Sequence, residues 1–149
     1  DYTGAETELT VPSELDGLTV TSIDDSAFSS CRELTSITIP DSVTHIGKST
    51  FWGCNKLASV TMPNSVTNIG DEAFCGCPFT NVTIPDSVTS IGNAVFSGCY
   101  RLTSITIPES VTEIGFWAFE DCPALTLLCA EGSYAWNYAV ENGIPHKAA

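Results

Sequence analysis

Basic residues are scarce in this sequence. Its 149 residues include 5 Lys and Arg against 18 Asp and Glu, which gives a formal net charge of −13. A chain this acidic repels the phosphates of nucleic acids and anionic lipids, because it lacks the cations that would neutralise them. We therefore expect no nucleic-acid partner and no binding to anionic lipid.

Long apolar runs are also missing. No stretch approaches the roughly 18 apolar residues that a membrane-spanning helix needs, so we expect no membrane insertion. Only 15% of residues are charged while 43% are hydrophobic, which argues against a disordered acidic tail. The length indicates one domain with a sizeable core. The sequence opens at Asp1 without a signal segment, so we read it as a mature or excised form.

An internal repeat accounts for most of the chain. Five phenylalanines recur at spacings of 23, 23, 22 and 23 residues, and a cysteine follows each of them by three residues. Proline, glycine and isoleucine keep the same spacing in a unit that reads L-T-S-I-T-I-P-D-S-V-T-x-I-G-x-x-A-F-x-G-C-x-x. Self-similarity at this period predicts a solenoid whose stacked coils share one continuous core.

Each unit carries two local patterns. The alternation in Ser36-Ile37-Thr38-Ile39 is typical of a half-buried strand, and the proline that follows ends it. Val43 and Ile46 are consistent with a second short extended segment or with a turn. The Phe-x-Gly-Cys segment is too short for a full helix and fits one helical or 3₁₀ turn.

Spacing divides the 149-residue domain into three parts. Residues 1–12 are predicted to form an N-terminal capping strand with Leu9 and Val11 pointing inward. About residues 13–130 form five repeats of 22–23 residues, the first with a five-residue insertion that should bulge out as a surface loop. The third repeat is one residue short, and Phe79 takes the place of leucine there.

Residues 131–149 are predicted to form a C-terminal cap. Ser133 is a suitable N-cap for a helix that reaches Asn142, and Gly143 is a suitable stop. Four of its small or aromatic residues share one face: Tyr134, Ala135, Tyr138 and Ala139. A helix of this kind can cover the open end of a solenoid core.

The repeat closely resembles the BspA-like class of leucine-rich repeats. The shared pattern, L-x-x-I-x-I-P-x-S-V-x-x-I-G-x-x-A-F-x-G-C, covers roughly residues 9–130, and G-S-Y-A-W-N-Y-A-V-E-N-G-I-P resembles that class's terminal segment. The resemblance implies a right-handed α/β repeat solenoid with a parallel β-sheet on its concave face and short helical or 3₁₀ turns elsewhere. Asp24 departs from the pattern, because the other units have glycine there, so we expect a different turn.

The outward side of the strands is the main candidate binding surface. Because side chains alternate along a strand, two polar rows should face solvent together. Such a face is either a solvated ladder of cross-strand pairs or a binding surface for protein or glycan, with ice binding a remote alternative. The rows consist of Thr38, Thr61, Thr83 and Thr106, and of Ser36, Ser59, Asn81 and Ser104.

Aromatic residues at otherwise polar positions are further candidates. Trp52 falls where the other units have serine, cysteine or glutamate, so it could anchor a partner. Phe116 and Trp117 also replace polar residues, but we expect the terminal helix with Trp136 to pack on them.

Columns of cysteine, serine and acidic residues favour structural roles. Parallel cysteines cannot converge on zinc and are poorly aimed for disulfides, so we interpret them as buried reduced thiols, with Cys75 the best candidate for a reactive one. Serines that follow each proline should satisfy backbone groups. Carboxylates such as Asp41, Asp86 and Glu109 should form a solvated edge rather than a calcium site. We predict no metal, no cofactor and no catalytic residue.

The resemblance also implies a function. It indicates a non-catalytic protein-binding or adhesion module of a cell-surface or secreted bacterial protein, acting on host or matrix protein or on glycan through the solenoid surface. The alternative is a structural stalk or spacer within a larger surface protein. We expect an extracellular or cell-surface location and a monomer.

Overall fold

The chain folds as a parallel-strand solenoid of about six turns. The structure, a computed structural model, describes residue 4 and residues 6–149. Its elements in chain order are β1 (Glu8–Thr10), β2 (Glu14–Leu15), β3 (Leu18–Thr19), β4 (Ser22–Ile23), β5 (Ser36–Thr38), β6 (His45–Ile46), β7 (Ser59–Thr61), β8 (Asn68–Ile69), β9 (Asn81–Thr83), β10 (Ser90–Ile91), β11 (Ser104–Thr106), β12 (Glu113–Ile114), β13 (Thr126–Cys129), α1 (Tyr134–Glu141) and β14 (His146–Ala148).

The alternating segments form parallel strands in register, as the sequence predicts. β1, β5 and β7 form one ladder, and β9, β11, β13 and β14 form another. In β5, Ile37 is buried between the more accessible Ser36 and Thr38, and the equivalent residues of β7 and β11 pair with the same register. The capping strand β1 pairs with β5 and places Leu9 half-buried and Val11 in the core. The rest of the predicted cap includes residues 1–3 and 5, which lie outside the described residues.

The hydrogen-bonded ladder is interrupted between β7 and β9. The interruption coincides with the repeat that is one residue short between Cys77 and Pro85. Phe79 fills the leucine position there, is fully buried, and meets Phe74 edge-on with ring centroids 5.6 Å apart. The core is thus continuous at the short repeat, while the pairing of β7 with β9 is absent there.

A second ladder of strands shows whether the segment with Val43 and Ile46 is extended or a turn. The two-residue strands β4, β6, β8, β10 and β12 form one unbroken parallel sheet, with an isoleucine of each strand buried. The segment is thus extended rather than a turn. The sequence predicts a single parallel sheet, but the structure has two. The sheet of longer strands is interrupted, and the sheet of two-residue strands, on another side of the coil, is continuous.

Glycines beside the second ladder allow the coils to approach closely. A Cβ on Gly92 would lie 2.7 Å from the backbone nitrogen of Asp71 in the preceding coil, and one on Gly115 would lie 2.5 Å from that of Asn93. Real side chains cannot occupy such space. Asp24 stands in the same register, but it follows β4, which is the edge strand of the ladder. Among residue 4 and residues 6–149, no earlier strand of this ladder stands where a side chain of Asp24 could strike it.

The phenylalanine column is a stack of parallel rings. Successive centroids from Phe28 to Phe119 are 5.3–5.7 Å apart with interplanar angles of 1–13°. Phe51, Phe74 and Phe96 are fully buried. Offset stacking at this distance adds a favourable ring interaction to the burial of a large apolar surface.

The Phe-x-x-Cys segments are hydrogen-bonded turns rather than helices. In four coils the backbone N–H of cysteine donates to the phenylalanine carbonyl at 3.1–3.2 Å. A residue in the left-handed region precedes each phenylalanine by two positions and prevents a helix from continuing. These residues are Ser26, Ser49, Glu72, Ala94 and Trp117, with φ between 51° and 58°.

The insertion in the first repeat is a β-hairpin on the surface. β2 and β3 pair antiparallel, with Leu15 opposite Leu18, and Asp16-Gly17 forms the connection with positive φ at both residues. An Asp-Gly pair favours this turn because its twist matches that of the flanking strands. The predicted loop is therefore confirmed as a protrusion and corrected in its structure.

The C-terminal cap consists of a helix and a strand. Ser133 is the N-cap of α1, where its hydroxyl accepts a hydrogen bond from the backbone N–H of Trp136 at 3.2 Å, and Gly143 follows with a φ of 66°. Of the four residues predicted to share one face, Ala135 and Ala139 are buried, Tyr138 is half-buried and Tyr134 is exposed. β14 then pairs with β13, a strand that the sequence pattern does not predict. No helix in residue 4 or residues 6–149 is long and apolar enough to cross a membrane.

Candidate binding surfaces

The predicted polar rows lie on the outer side of the interrupted sheet, half of each row in the β5–β7 pair and half in the β9–β11 pair. Thr38 and Thr61 are directly opposite each other, as are Thr83 and Thr106, and all four are exposed. The parallel row of Ser36, Ser59, Asn81 and Ser104 is exposed or half-buried. We name these eight residues the polar face. Whether it binds anything stays a prediction.

Charged and apolar residues appear only at the two ends of these rows. Glu8 is opposite Ser36 at one end of the serine row. At the other end of the threonine row, Leu128 is opposite Thr106 and Lys147 follows on β14. Between them the polar face has hydroxyls and one amide but no charge. It can therefore contact a neutral surface without desolvating an ion, which is the costly part of covering polar groups.

The serines after each proline are structural. Ser65, Ser87 and Ser110 each donate from the hydroxyl to a valine carbonyl of the preceding coil, at 2.6–2.7 Å. The predicted role in satisfying the backbone is confirmed, and it links neighbouring coils rather than closing a turn within one. Ser42, in the second coil, is half-buried, but its hydroxyl oxygen is buried and has no hydrogen-bond partner among the described residues.

The cysteine column also links neighbouring coils by hydrogen bonds to the backbone. The thiols of Cys54, Cys77, Cys99 and Cys122 each donate to the phenylalanine carbonyl of the preceding coil, with sulfur to oxygen distances of 3.1–3.4 Å. All seven cysteines of the chain are free. The interpretation of the column as reduced thiols is confirmed. Cys31, which begins it, is only half-buried.

Every thiol in the chain is made less acidic by its surroundings. Burial raises the pKa of Cys54 and Cys122 to about 11, and raises the pKa of Cys77 and Cys99 further. Cys75 is half-buried, and burial together with the nearby carboxylate of Glu72 raises its pKa as well. Since the thiolate is the reactive form, this environment opposes the predicted reactivity of Cys75. Cys129 is buried, with its pKa also raised by burial.

The acidic residues after each proline remain separate and solvated. Asp41, Asp86 and Glu109 are all exposed. Across residue 4 and residues 6–149, no three His, Cys, Asp or Glu side chains come together as metal ligands would.

Trp52 is 47% exposed, in the turn between β6 and β7. Its backbone carbonyl accepts a hydrogen bond from the N–H of Ser30 at 2.7 Å, which fixes the turn while the indole remains accessible. Its availability to a partner is as predicted, and its use by one stays a prediction.

The expectation for Phe116 and Trp117 is wrong. They are 76% and 66% exposed and contact each other, with ring centroids 6.2 Å apart. The terminal helix does not cover them, because Trp136 packs edge-on against His146 at 4.5 Å instead. Tyr138 completes the phenylalanine stack against Phe119 and donates from its hydroxyl to the carbonyl of Gly115 at 3.2 Å. The helix is thus held over the core, beside the aromatic pair.

The sequence matches the family described as BspA type leucine rich repeat region (6 copies) over residues 21–134. That description counts six copies, whereas the spacing of the sequence divides residues 13–130 into five repeats. The division into five stays a prediction. No match was found among curated proteins.

Solved structures of bacterial leucine-rich repeat proteins share the fold. The Treponema pallidum leucine-rich repeat protein TpLRR is 37% identical with a TM-score of 0.83, over 85% of this chain and 60% of its own. A leucine rich cell surface protein of Faecalibacterium prausnitzii is 32% identical with a TM-score of 0.77, over 97% and 36% respectively. A leucine-rich repeat protein of Eubacterium ventriosum is 30% identical with a TM-score of 0.74, over 84% and 32%. The chain therefore spans 60% or less of each.

Proposed function

Since the chain belongs to the BspA type leucine-rich repeat family, we propose that it is a non-catalytic binding module of a cell-surface or secreted bacterial protein. Its partner in this proposal is an extracellular host or matrix protein, or a glycan, and the polar face is the contact surface. Trp52 is a second contact candidate. A fold alone does not fix a function, so the proposal depends on the surface itself.

The observation that carries the proposal is the exposed polar face in a molecule of net charge −13. In β5 and β7, and again in β9 and β11, each strand contributes one threonine and one serine or asparagine in register, without a charged side chain between them. Such a row repeats the same hydrogen-bonding groups at regular intervals on a rigid scaffold. Interaction surfaces favour this combination because little conformational freedom is lost on binding.

The relatives support the surface location. The similar Faecalibacterium prausnitzii protein is described as a leucine rich cell surface protein. Leucine-rich repeat families provide repeat scaffolds rather than catalytic sites, and solenoids use their extended surfaces for binding.

Charge insertion on the polar face tests the proposal. Purified protein is titrated onto immobilised fibronectin, laminin, collagen and mucin, and the affinity for any component that binds is compared with that of Thr61→Arg and Thr83→Arg variants. Each should weaken binding by about tenfold or more, because a large charged side chain blocks the centre of a neutral contact. Ser22→Arg on β4 is the control, since it adds the same charge to the other ladder and should leave binding unchanged.

Two results would contradict this proposal. One is a bound component whose affinity is the same for Thr61→Arg, Thr83→Arg and the control. The other is no binding to any component of the panel. The second result favours the alternative of a stalk or spacer, which the regular coil and the greater length of the relatives make reasonable. A Trp52→Ala variant in the same titration shows whether the indole contributes.

A further inference from the structure

Three adjoining depressions lie where the last coil meets the C-terminal cap. Their volumes are about 230, 390 and 630 Å³. The first two share Phe119 and Ile144 in their walls, and the first and third share Tyr138 and Asn142. They therefore adjoin one another, and we name the three together the junction groove. Its aromatic lining consists of Tyr100, Phe116, Trp117, Phe119, Tyr134 and Tyr138.

Four of these aromatic side chains are largely open to solvent. Phe116, Trp117, Tyr100 and Tyr134 are all among the exposed large hydrophobic residues. Single exposed apolar residues are ordinary on a monomer, but a contiguous group marks an interaction surface. Tyr138 and Phe119 fix the floor of the groove, because they belong to the packed stack. The aromatic lining is thus presented on a rigid support.

Trp117 is also held in an unusual backbone conformation. Its φ is 57°, in the left-handed region, where bulky side chains are disfavoured. Serine, glutamate and alanine occupy this register in the four earlier coils. The repeat therefore does not require a large side chain there. Trp117 carries backbone strain and exposes an indole, with no gain in core packing.

The charges around the junction groove all have one sign. Glu113, Glu120, Asp121 and Glu141 line it. They are exposed, and within the described part of the chain none of their side chains forms an ion pair or a hydrogen bond. None of the five Lys and Arg side chains of the sequence lies in its walls. The groove combines open aromatic faces with carboxylates that have no counter-ion.

We propose that the junction groove binds a basic segment of a partner protein, in which arginine or lysine side chains lie over the exposed rings. A guanidinium group stacks on the face of an indole, phenyl or phenol ring and at the same time reaches carboxylates beside it. Arginine suits the groove better than lysine, because it is planar and more weakly hydrated. A neutral glycan could stack on the same rings but would leave the carboxylates without a partner. Charge complementarity therefore selects the basic segment.

Hexaarginine with a fluorescent label is the probe, and its affinity is measured by anisotropy with the intact chain at low ionic strength. Trp117→Ala should weaken binding by about tenfold. Ala94 occupies the same register with a φ of 52°, so alanine is compatible with the backbone there. Leu18→Ala is the control, because it removes an exposed large apolar side chain outside the groove, and it should change the affinity by less than about twofold.

Carboxylate variants separate a specific site from diffuse attraction. The double variant Glu120→Gln with Glu141→Gln should weaken hexaarginine binding by about fivefold. The double variant Asp41→Asn with Glu109→Gln removes the same charge from exposed turns and should leave the affinity within about twofold. Hexalysine should bind more weakly than hexaarginine, and hexaglutamate should not bind. Thermal unfolding of each variant confirms that it is folded.

Three results would overturn this inference. If both carboxylate double variants weaken binding equally, or if Trp117→Ala binds like the wild type, the attraction is not located in the groove. If chitohexaose binds with loss of affinity in Trp117→Ala while hexaarginine does not bind, the groove is a sugar site. All these variants leave the polar face unchanged, so this inference and the proposed function fail independently.

Discussion

The first coil and the interior coils use the same repeat in different ways. In the interior, glycine allows the preceding backbone to approach, serine donates to a preceding valine carbonyl, and cysteine donates to a preceding phenylalanine carbonyl. In the first coil, the glycine position holds Asp24 and Cys31 is half-buried. In the second coil, which follows the coil with the insertion, Ser42 has no partner for its hydroxyl among the described residues. The residues that identify the repeat thus act across the boundary between coils.

This difference separates the repeated residues into those that pack within their own coil and those that contact the neighbouring coil. Residues that pack inside their own coil, such as the ladder isoleucines, are the same at the end and in the middle. Residues that act on the neighbouring coil lose their contacts at the N-terminal end of the stack, where the preceding coil is missing among the described residues or, before Ser42, carries the insertion. The stability of a solenoid is divided in the same way, into terms within repeats and terms between them. Four measurements test this division.

The largest effect should come from raising the pH, because all the buried thiols respond together. Burial holds the folded pKa of Cys54 and Cys122 at about 11, above the ordinary value of 9.0. The stability due to these protonated thiols is complete below pH 9 and is lost as the pH rises from 9 through 11, since the unfolded chain then binds fewer protons. The unfolding midpoint should fall clearly between pH 9 and pH 11 under reducing conditions.

Single cysteine variants sharpen this result. Cys77→Ala should reduce the pH dependence more than Cys31→Ala, because Cys77 is fully buried and Cys31 is not. If the unfolding midpoints of the two variants depend on pH in the same way, the burial of each thiol in the stack does not determine its contribution.

Deleting a central ring should have the next largest effect. Phe74 is fully buried, stacks on Phe51 and Phe96, and meets Phe79 edge-on. Phe74→Ala should lower the free energy of unfolding by about 3–5 kcal/mol, through lost burial and the cavity that remains. Phe116→Ala removes a ring of the same size from the surface and should change stability by less than about 0.5 kcal/mol. A loss below about 1 kcal/mol for Phe74→Ala in denaturant unfolding would contradict its central position.

A methyl group in the glycine column should have a smaller but still large effect. In Gly92→Ala the new Cβ would meet the backbone of Asp71 at 2.7 Å, and no side-chain rotation can relieve that contact. We expect a loss of about 2–3 kcal/mol. Asp24→Ala tests the same register in the first coil and should be within about 0.5 kcal/mol of the wild type. Equal losses for the two variants, measured by urea unfolding, would show that contact with a preceding coil is not the reason for glycine.

The smallest effect should be seen in the serine column, with opposite signs in the two regions. Ser87→Ala removes the hydrogen bond to the carbonyl of Val66 and should cost about 1 kcal/mol. Ser42→Ala removes a buried hydroxyl without a described partner and should leave stability unchanged or raise it by up to about 1 kcal/mol. The difference between the two unfolding free energies is the quantity to measure. Comparable losses at both positions would contradict the proposed role of the preceding coil.

The repeat itself could be predicted because its periodicity reports contacts made many times over. The strands, the phenylalanine stack, the reduced cysteines and the helix after Ser133 all follow from apolar spacing and capping residues. The hairpin of the first repeat could also have been predicted, because Asp16-Gly17 between Leu15 and Leu18 is a strong turn signal.

Features that occur once were harder to predict. The strand β14 consists of His146, Lys147 and Ala148, which have no alternating pattern, and it forms because β13 offers a free edge. The exposure of Phe116 and Trp117 depends on where the terminal helix rests. That position is set by Tyr138, which packs on Phe119 and donates a hydrogen bond from its hydroxyl to the carbonyl of Gly115. Such long-range contacts leave no mark in local spacing, so the junction groove could not be foreseen.

The serine and cysteine columns donate their hydrogen bonds toward the N-terminal side, from each coil to the one before it. A ribosome releases the N-terminal coil first. Carbonyl acceptors of one coil are therefore in place before the hydroxyl and thiol donors of the next coil emerge. Each new coil can dock on a surface that is already complete, which suits growth of the solenoid in the order of its synthesis.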